Sequence, residues 1–474
     1  MALGKRKVVQ QPLFVTVADL NVRSHPFYDA VNKVLDAHHF DVFVEGLCAG
    51  FYDDGTRGGR PGLAPGIYFR CLMVGYFEGI DSERGIDWRC NDGNALKLFL
   101  GLPVDKPAPG HSTISRTRRP IDLETHAQVF RFILKVLANH SLVEGKTAGV
   151  DSTTLEANAA MRSIVRRDTG EGYQQFLERL AKESGIETPT REDLAKLDRR
   201  RKNKASNDDW RSPDGPDAKI TKMKDGTTHL AHKGAGTGDC PATAEHAVDL
   251  GEGGHGAILA VSVCDAAAGD TATLVDTVVA ATENLAALAD DERVSDKVSG
   301  RWMSEAVLGK GYHSRQTLPD LEEMSVRSYA SEPQRGRQRW DGQADARQAA
   351  YANRRRVRGE RGKRLLRSRG EKLERTSAHC YETGGMRRLY LRGRENVAKR
   401  VLVHAAGFNV GLLMRVRYGL RKPRSLPAAA AAARALIFAL VEWLRSIVAA
   451  ARATGPVASP RQLPDRCNPA LPAA

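Results

Sequence analysis

Asp151, Glu374 and the turn after residues 305–308 are the places in this 474-residue chain where carboxylate chemistry can be assembled. The run Thr147-Ala148-Gly149-Val150-Asp151-Ser152-Thr153-Thr154 reads as a short strand, with Asp151 expected at its end. Glu374 stands in Glu371-Lys372-Leu373-Glu374-Arg375, on a basic helical stretch over 364–379. The third place is the turn Gly309-Lys310-Gly311-Tyr312-His313, which follows an apolar strand signal at Glu305–Leu308. Two-metal phosphoryl transfer needs hard oxygen ligands from separate elements that converge on one cleft, because Mg²⁺ demands octahedral oxygen coordination. The paired ions then activate the attacking oxygen and stabilise the leaving one. Taken singly, each residue also has an ordinary use. An Asp at a strand end caps a turn, and a Glu among arginines is commonly half of an i,i+4 pair, as Arg367 and Glu371 can be.

The elements that must position these groups follow from periodicity. Residues 26 to about 120 read as helical, with apolar spacing in HPFYDAVNKVLDAHHFDVFVEGL and a second apolar face from Pro65 to Phe77. Ser112 is the expected cap of a short helix that ends in Arg116, Arg118 and Arg119 before Pro120. From Thr147 strand signals take over. Thr228–Lys233, His246–Leu250 and Ala257–Val263 read as strands, the last two joined by glycine-rich turns as a hairpin. Asp270–Leu288 reads as an amphipathic helix with Asp270 as its cap, and Ser328–Ser331 as a further short strand. Residues 160–225, with Arg-Arg-Arg-Lys-Asn-Lys at 199–204, read as a polar insertion or loop. This order predicts a mixed α/β domain preceded by an α-helical one.

Charge is unevenly spread. The chain carries 72 Lys+Arg against 57 Asp+Glu, yet residues 351–400 alone hold 17 basic and 5 acidic residues. A basic C-terminal third behind a neutral-to-acidic body points to a polyanionic partner at one place. The seven cysteines are scattered without a Cys-x-x-Cys pair, which argues against a disulfide scaffold or a structural zinc site. The basic N-terminus lacks the apolar core of a signal peptide, and Ala428–Ala453 is interrupted by Arg434, Glu442 and Arg445, too polar to span a bilayer. The expected location is the cytoplasm.

Several segments together resemble bacterial insertion-sequence transposases of the DDE, RNase H-like class. They are Phe27–Arg119 including PGHSTISR, VDSTTLEANAA at 150–160, DGPDAKITKMKDGTTHLAHK at 214–233, AEHAVDL at 244–250, GKGYHS at 309–314, and RGEKLERTSAHCYETGGMRRLYLRG through GLLMR at 369–415. The resemblance implies an N-terminal arm over 1–25, a helical transposase N-terminal domain over 26–125, an RNase H-like catalytic domain over 140–420, and an Ala-rich helix with a Pro-rich tail over 421–474. It implies Asp151 as the first catalytic and metal-binding Asp and Glu374 as the catalytic Glu, around a two-metal Mg²⁺ (or Mn²⁺) site. The family's second Asp precedes a Lys-Gly-Tyr turn, and here that position is Gly309, which offers no ligand. Glu305, Asp296 and Asp320 are the carboxylates that can stand in, although Glu305 lies roughly 13 Å back along its strand. The loop Gly234–Thr243 and Ser377, in an ordinarily aromatic position, are smaller departures.

The implied activity is metal-dependent cleavage and strand transfer of double-stranded DNA at terminal inverted repeats, by a homodimer or larger assembly in the nucleoid. The expected phosphate contacts are Arg116, Arg118, Arg119, Arg354, Arg355, Arg356, Arg364, Arg367, Arg387, Arg388, Arg392 and Arg394. Tyr312 and His313 are expected to hold the strand end rather than to catalyse. The loss at 309 predicts impaired catalysis with fold and DNA binding kept. A non-catalytic, repressor-like derivative and a hydrolytic nuclease on the same fold are the alternatives.

Overall fold

The structure is a computed structural model. It describes residues 4–5, 24–52, 61–157, 165–186, 189–190, 192–194, 196, 210–211, 218–222, 228–232, 242–251, 255–265, 270–298, 303–334, 336, 338–391 and 393–423. Arg392, most of the Gly234–Thr243 loop and everything after residue 423 lie outside the described residues.

Seven helices come first: α1 (Pro26–Ala37), α2 (Phe40–Cys48), α3 (Pro65–Glu78), α4 (Glu83–Asp92), α5 (Asn94–Phe99), α6 (His111–Arg118) and α7 (Leu123–Asn139). Pro26 starts α1 with its φ already helical, and the His25 ring accepts the Phe27 N–H. Helix α3 has no polar face, because every residue from Pro65 to Phe77 is buried among its neighbours. The one charge in that buried run, Arg70, donates to both carboxylate oxygens of Asp41 at 2.6 and 3.0 Å and to Asn32 Oδ1 at 3.1 Å. A buried guanidinium is tolerated only when paired in this way.

The sheet begins with β1 (Thr147–Thr154). Small pairings follow: β2 (Glu156–Ala157), β3 (Val165–Arg166) with β4 (Trp210–Arg211), and β5 (Ala218–Lys222) with β6 (Thr228–His232). Between β3 and β4 stands α8 (Tyr173–Glu183). Phe176, Leu177 and Ala181 on α8 form a small core with Leu194, so part of the expected loop is helix. Then come β7 (Ala242–Asp249), β8 (Ile258–Asp265), helix α9 (Asp270–Ala289), β9 (Glu305–Leu308), α10 (Thr317–Glu323) and β10 (Arg327–Ala330). The main sheet has the order β10-β9-β1-β7-β8. β1, β7 and β8 form an antiparallel meander, whereas β9 and β10 run parallel to β1 after crossovers through α9 and α10. The fold is thus mixed α/β around a five-stranded mixed sheet, as the element order predicts.

Three helices close the domain: α11 (Ala344–Arg358), α12 (Glu360–Ser377) and, after β11 (Arg388–Leu389), α13 (Arg394–Tyr418). Helix α13 is buried nearly all round from Val397 to Met414, and through it the N-terminal helices and the sheet share one hydrophobic core. Helices α9 and α13 are both long and apolar enough to cross a bilayer by length and composition, but the apolar window of α13 lies wholly inside this core.

The two sheet edges are closed in the same manner. Asn409 of α13 accepts the Ile258 N–H and donates to the Ile258 carbonyl, each at 2.9 Å, at the start of edge strand β8. Asn353 of α11 does the same to Ala330 on edge strand β10, at 2.8 and 2.9 Å. A carboxamide presents one donor and one acceptor, so it satisfies a strand residue as a further strand would. Replacing either with Leu leaves a buried N–H and C=O unpaired. Asn409→Leu or Asn353→Leu is expected to lower unfolding free energy by about 2–4 kcal/mol, read as a shifted urea midpoint at unchanged slope.

Candidate active site

The register of β1 with β9 pairs Thr147 with Glu305 and Val150 with Leu308. Asp151 and Gly309 therefore stand next to each other where the parallel pairing of β1 with β9 stops; β9 ends at Leu308, whereas β1 runs on to Thr154 against β7, so Asp151 lies within its strand and not at the end that the sequence suggests. On its other side Asp151 is paired with His246 of β7. Helix α12 crosses this face. A Cβ on Gly149 would lie 2.6 Å from Leu373 Cδ1, so the glycine allows the helix its close approach. One turn earlier Arg369 extends its guanidinium between the strand ends. Its Nη2 stands 3.1 Å from Asp151 Oδ1 and donates to the Val150 carbonyl at 3.4 Å. The same Nη2 would be 3.0 Å from a Cβ at position 309. Arg369 Nε is buried without a hydrogen-bond partner.

Glu374 follows Leu373 and is exposed, with no hydrogen bond or ion pair to Asp151 among the described residues. No group of three His, Cys, Asp or Glu side chains suited to a metal ion occurs among the described residues. The stand-in carboxylates do not fill the gap. Glu305 is buried at the opposite end of β9, where its Oε2 accepts from Thr147 Oγ1 at 2.5 Å and pairs with Arg361 Nη2 at 2.6 Å. Asp320 on α10 accepts from Gln316 at 2.7 Å, and Asp296 is exposed in the turns after α9. The donors at the strand end, one carboxylate already paired with a guanidinium and a glycine, do not fit a two-metal site.

The turn after β9 is rigidly held. Tyr312 is buried and its hydroxyl donates to Glu245 Oε1 at 2.6 Å, while Thr273 and Thr277 of α9 donate to the same carboxylate at 3.2 and 2.5 Å. Burial pushes the Glu245 carboxyl up and the Tyr312 phenol up with it, since Glu245 lies beside the hydroxyl. A side chain at 311 would collide with the Asp270 carboxylate, which also accepts from Ser152 Oγ at 2.9 Å. Tyr312 thus holds the strand end, as expected. His379 is half-buried near the end of α12 and burial lowers its basicity. The following π-turn, Ala378–Glu382, places the Tyr381 hydroxyl 3.2 Å from the His246 ring.

The basic residues divide into two sets. Arg118 is buried, ion-paired with Glu83 and bonded to Asn396 Oδ1 at 3.2 Å, and burial lowers its basicity. Arg356 donates to the Ser328 carbonyl and hydroxyl, both at 2.9 Å. Arg118 is thereby withdrawn from solvent, whereas Arg356 stays partly exposed with its guanidinium engaged by strand β10. Arg354 bonds Glu332 at 2.8 Å, and Arg387 pairs with Glu382. Arg116, Arg119, Arg355, Arg364, Arg367, Arg388 and Arg394 are exposed. Helix α6 also starts one residue before the expected Ser112 cap, because Asp87 of α4 takes the His111 N–H at 2.9 Å. The sequence offers Arg369 only as the last member of the basic run from Arg354, and not as the partner of Asp151. Its signal was a basic residue four positions from Leu365 and from Leu373, on the buried stripe of α12.

Residues 17–120 match the family described as Transposase domain (DUF772), consistent with an insertion-sequence transposase. Neither the curated proteins nor the solved structures include a match to the chain.

Among the described residues, His126, His246 and His404 are buried and their basicity is lowered. Burial lowers His126 and His246 to about 4, and His404 falls well below its ordinary value. The unfolded chain, with ordinary histidines near 6.5, takes up these protons first. Stability contributed by the neutral rings is therefore complete above about pH 6.5 and lost as pH falls towards 4. A fall from pH 7 to 5 is expected to cost on the order of 1–2 kcal/mol per buried histidine, measured by urea unfolding. His246→Gln should flatten that slope.

Proposed function

With a transposase domain at residues 17–120 as the premise, we propose that this chain is a DNA transposase of an insertion sequence, of the DDE, RNase H-like class. It binds the terminal inverted repeats of its element but is impaired in cleavage and strand transfer. The family match carries the reading. What supports the finer class is the mixed sheet, in which Asp151 on β1 and position 309 just after β9 are neighbours across a parallel pairing, with α12, the helix that carries Glu374, packed on β1 through Leu373. The Mg²⁺ or Mn²⁺ ions implied by the resemblance supply charge to the phosphoryl group when bound. The donors left in this chain do not suit them, so no cleavage step is assigned here.

What the chain's own residues do is bind DNA. Arg116 and Arg119 end helix α6, Arg355 lies on α11, Arg364 and Arg367 on α12, Arg388 beside Tyr390, and Arg394 opens α13. Exposed guanidinium groups hold backbone phosphate and give affinity without reading sequence. Holding two element ends together calls for a homodimer or a larger assembly on DNA, acting in the cytoplasm at the nucleoid. A second reading, a repressor-like derivative that binds without cutting, is favoured by one observation: the carboxylate of Asp151 is already neutralised by Arg369. A hydrolytic nuclease requires the same missing donors and gains nothing from the geometry.

Equilibrium binding of a terminal-repeat duplex, followed by fluorescence anisotropy over a salt series in EDTA, tests the binding. Affinity should fall steeply with salt, and Arg364→Ala or Arg367→Ala should each reduce the log–log slope by about 1. Binding that is insensitive to salt, or absent, contradicts the reading.

A further inference from the structure

The reading above leaves one question at the strand end: what now balances the charge of Asp151. We propose that Arg369 is the resident cation of this site, taking the position that a divalent ion would share with Asp151 and a carboxylate at 309. The inference deepens the transposase reading and rests on it.

Three observations converge on the guanidinium. Its Nη2 lies 3.1 Å from Asp151 Oδ1 and 3.4 Å from the Val150 carbonyl, which places it beside β1 at the point where the pairing with β9 stops. The same nitrogen lies 3.0 Å from where a Cβ on residue 309 would stand, so the guanidinium borders the space that the glycine leaves open. Its Nε is buried and unsatisfied, as expected of a donor beside a missing acceptor. Gly309 has φ −73° and ψ 173°, extended backbone that an Asp adopts without strain. The arginine is placed by the helix rather than by the carboxylate alone, since Leu365 and Leu373 on the same stripe are buried in the core. A guanidinium so placed keeps its charge and competes with Mg²⁺ and Mn²⁺ for the Asp151 carboxylate.

Two measurements on the full chain test this. In the first, Mn²⁺ binding is followed by loss of the free-ion electron paramagnetic resonance signal, for the natural chain, Gly309→Asp, Arg369→Gln and the double variant Gly309→Asp/Arg369→Gln. The expected order is no binding by the natural chain or by Arg369→Gln, and binding by the double variant at least tenfold tighter than by Gly309→Asp. Tight binding by the natural chain, or equal binding by Gly309→Asp and the double variant, overturns the role of Arg369. Binding by none of the four overturns the assignment of a vacated metal position at 309, and with it the DDE reading beneath the proposal. In the second, thermal unfolding compares Arg369→Gln with Asp151→Asn/Arg369→Gln. The single variant, with its carboxylate left unpaired, should melt several degrees lower than the double. Equal melting temperatures show that the two charges are not coupled and overturn the proposal.

Discussion

The close approach of helix α12 to strand β1 is the constraint on which the strand-end site depends. It exists because position 149 has no side chain, where a Cβ would press on both Leu373 and Leu250. With Leu373 seated there, the helix is fixed in height and rotation. Arg369, one turn earlier, then meets Asp151, and the π-turn beyond Ser377 returns Tyr381 to His246, the cross-strand partner of Asp151. Single π-turns mark places where a helix is re-aimed, often at functional sites. The site is thus shaped by one glycine that lets a helix in and a second, Gly309, that leaves a guanidinium without its full set of acceptors.

The basic excess of the C-terminal region has a different meaning in three dimensions than along the chain. Arg400 is fully enclosed, donating to the Leu72 and Ile80 carbonyls at 3.3 and 3.2 Å, and burial lowers its pKa to about 10. Lys399 is buried beside Glu395 at 2.6 Å, and Lys372 donates to the Leu250 and Gly251 carbonyls at 3.3 and 3.0 Å. Arg356, Arg361 and Arg369 each join a helix to the sheet. Long cationic side chains act here as fasteners, their stems packed and their heads bonded to carbonyls or carboxylates. The charge left for a polyanion is a smaller set on the outer faces of α6, α11 and α12 and at the start of α13.

Most of the sheet was legible in the sequence because its strands are short apolar runs with clear punctuation. Glu305–Leu308 has the expected bounds, and Asp270–Ala289 extends the expected helix by one residue. What periodicity cannot carry is partnership across the fold. Ser112 looked like a cap, but Asp87 on another helix reaches the His111 N–H first. Arg118 looked like the end of a solvated helix, but Glu83 and Asn396, far away in sequence, enclose it. Helix α8 lies inside the polar insertion, and its apolar residues form a small core of their own with Leu194 and Ile186. The adjacency of Asp151 and Gly309 was implied by a family likeness and appears in the structure as strand register, whereas Arg369 as the partner of Asp151 emerges only from packing.

On the function proposed above, the catalytic centre is lost at one residue, Gly309, while the frame that would hold it persists. The most direct test is strand cleavage of a duplex carrying the element's own terminal repeat, with Mg²⁺ or Mn²⁺, by the natural chain and by Gly309→Asp side by side. The account predicts no cleavage by the natural chain and detectable cleavage by the Asp variant, raised further when Arg369 is also replaced. Equal cleavage by the natural chain and the variant contradicts it, and the ligand set would then lie elsewhere than Asp151 and position 309.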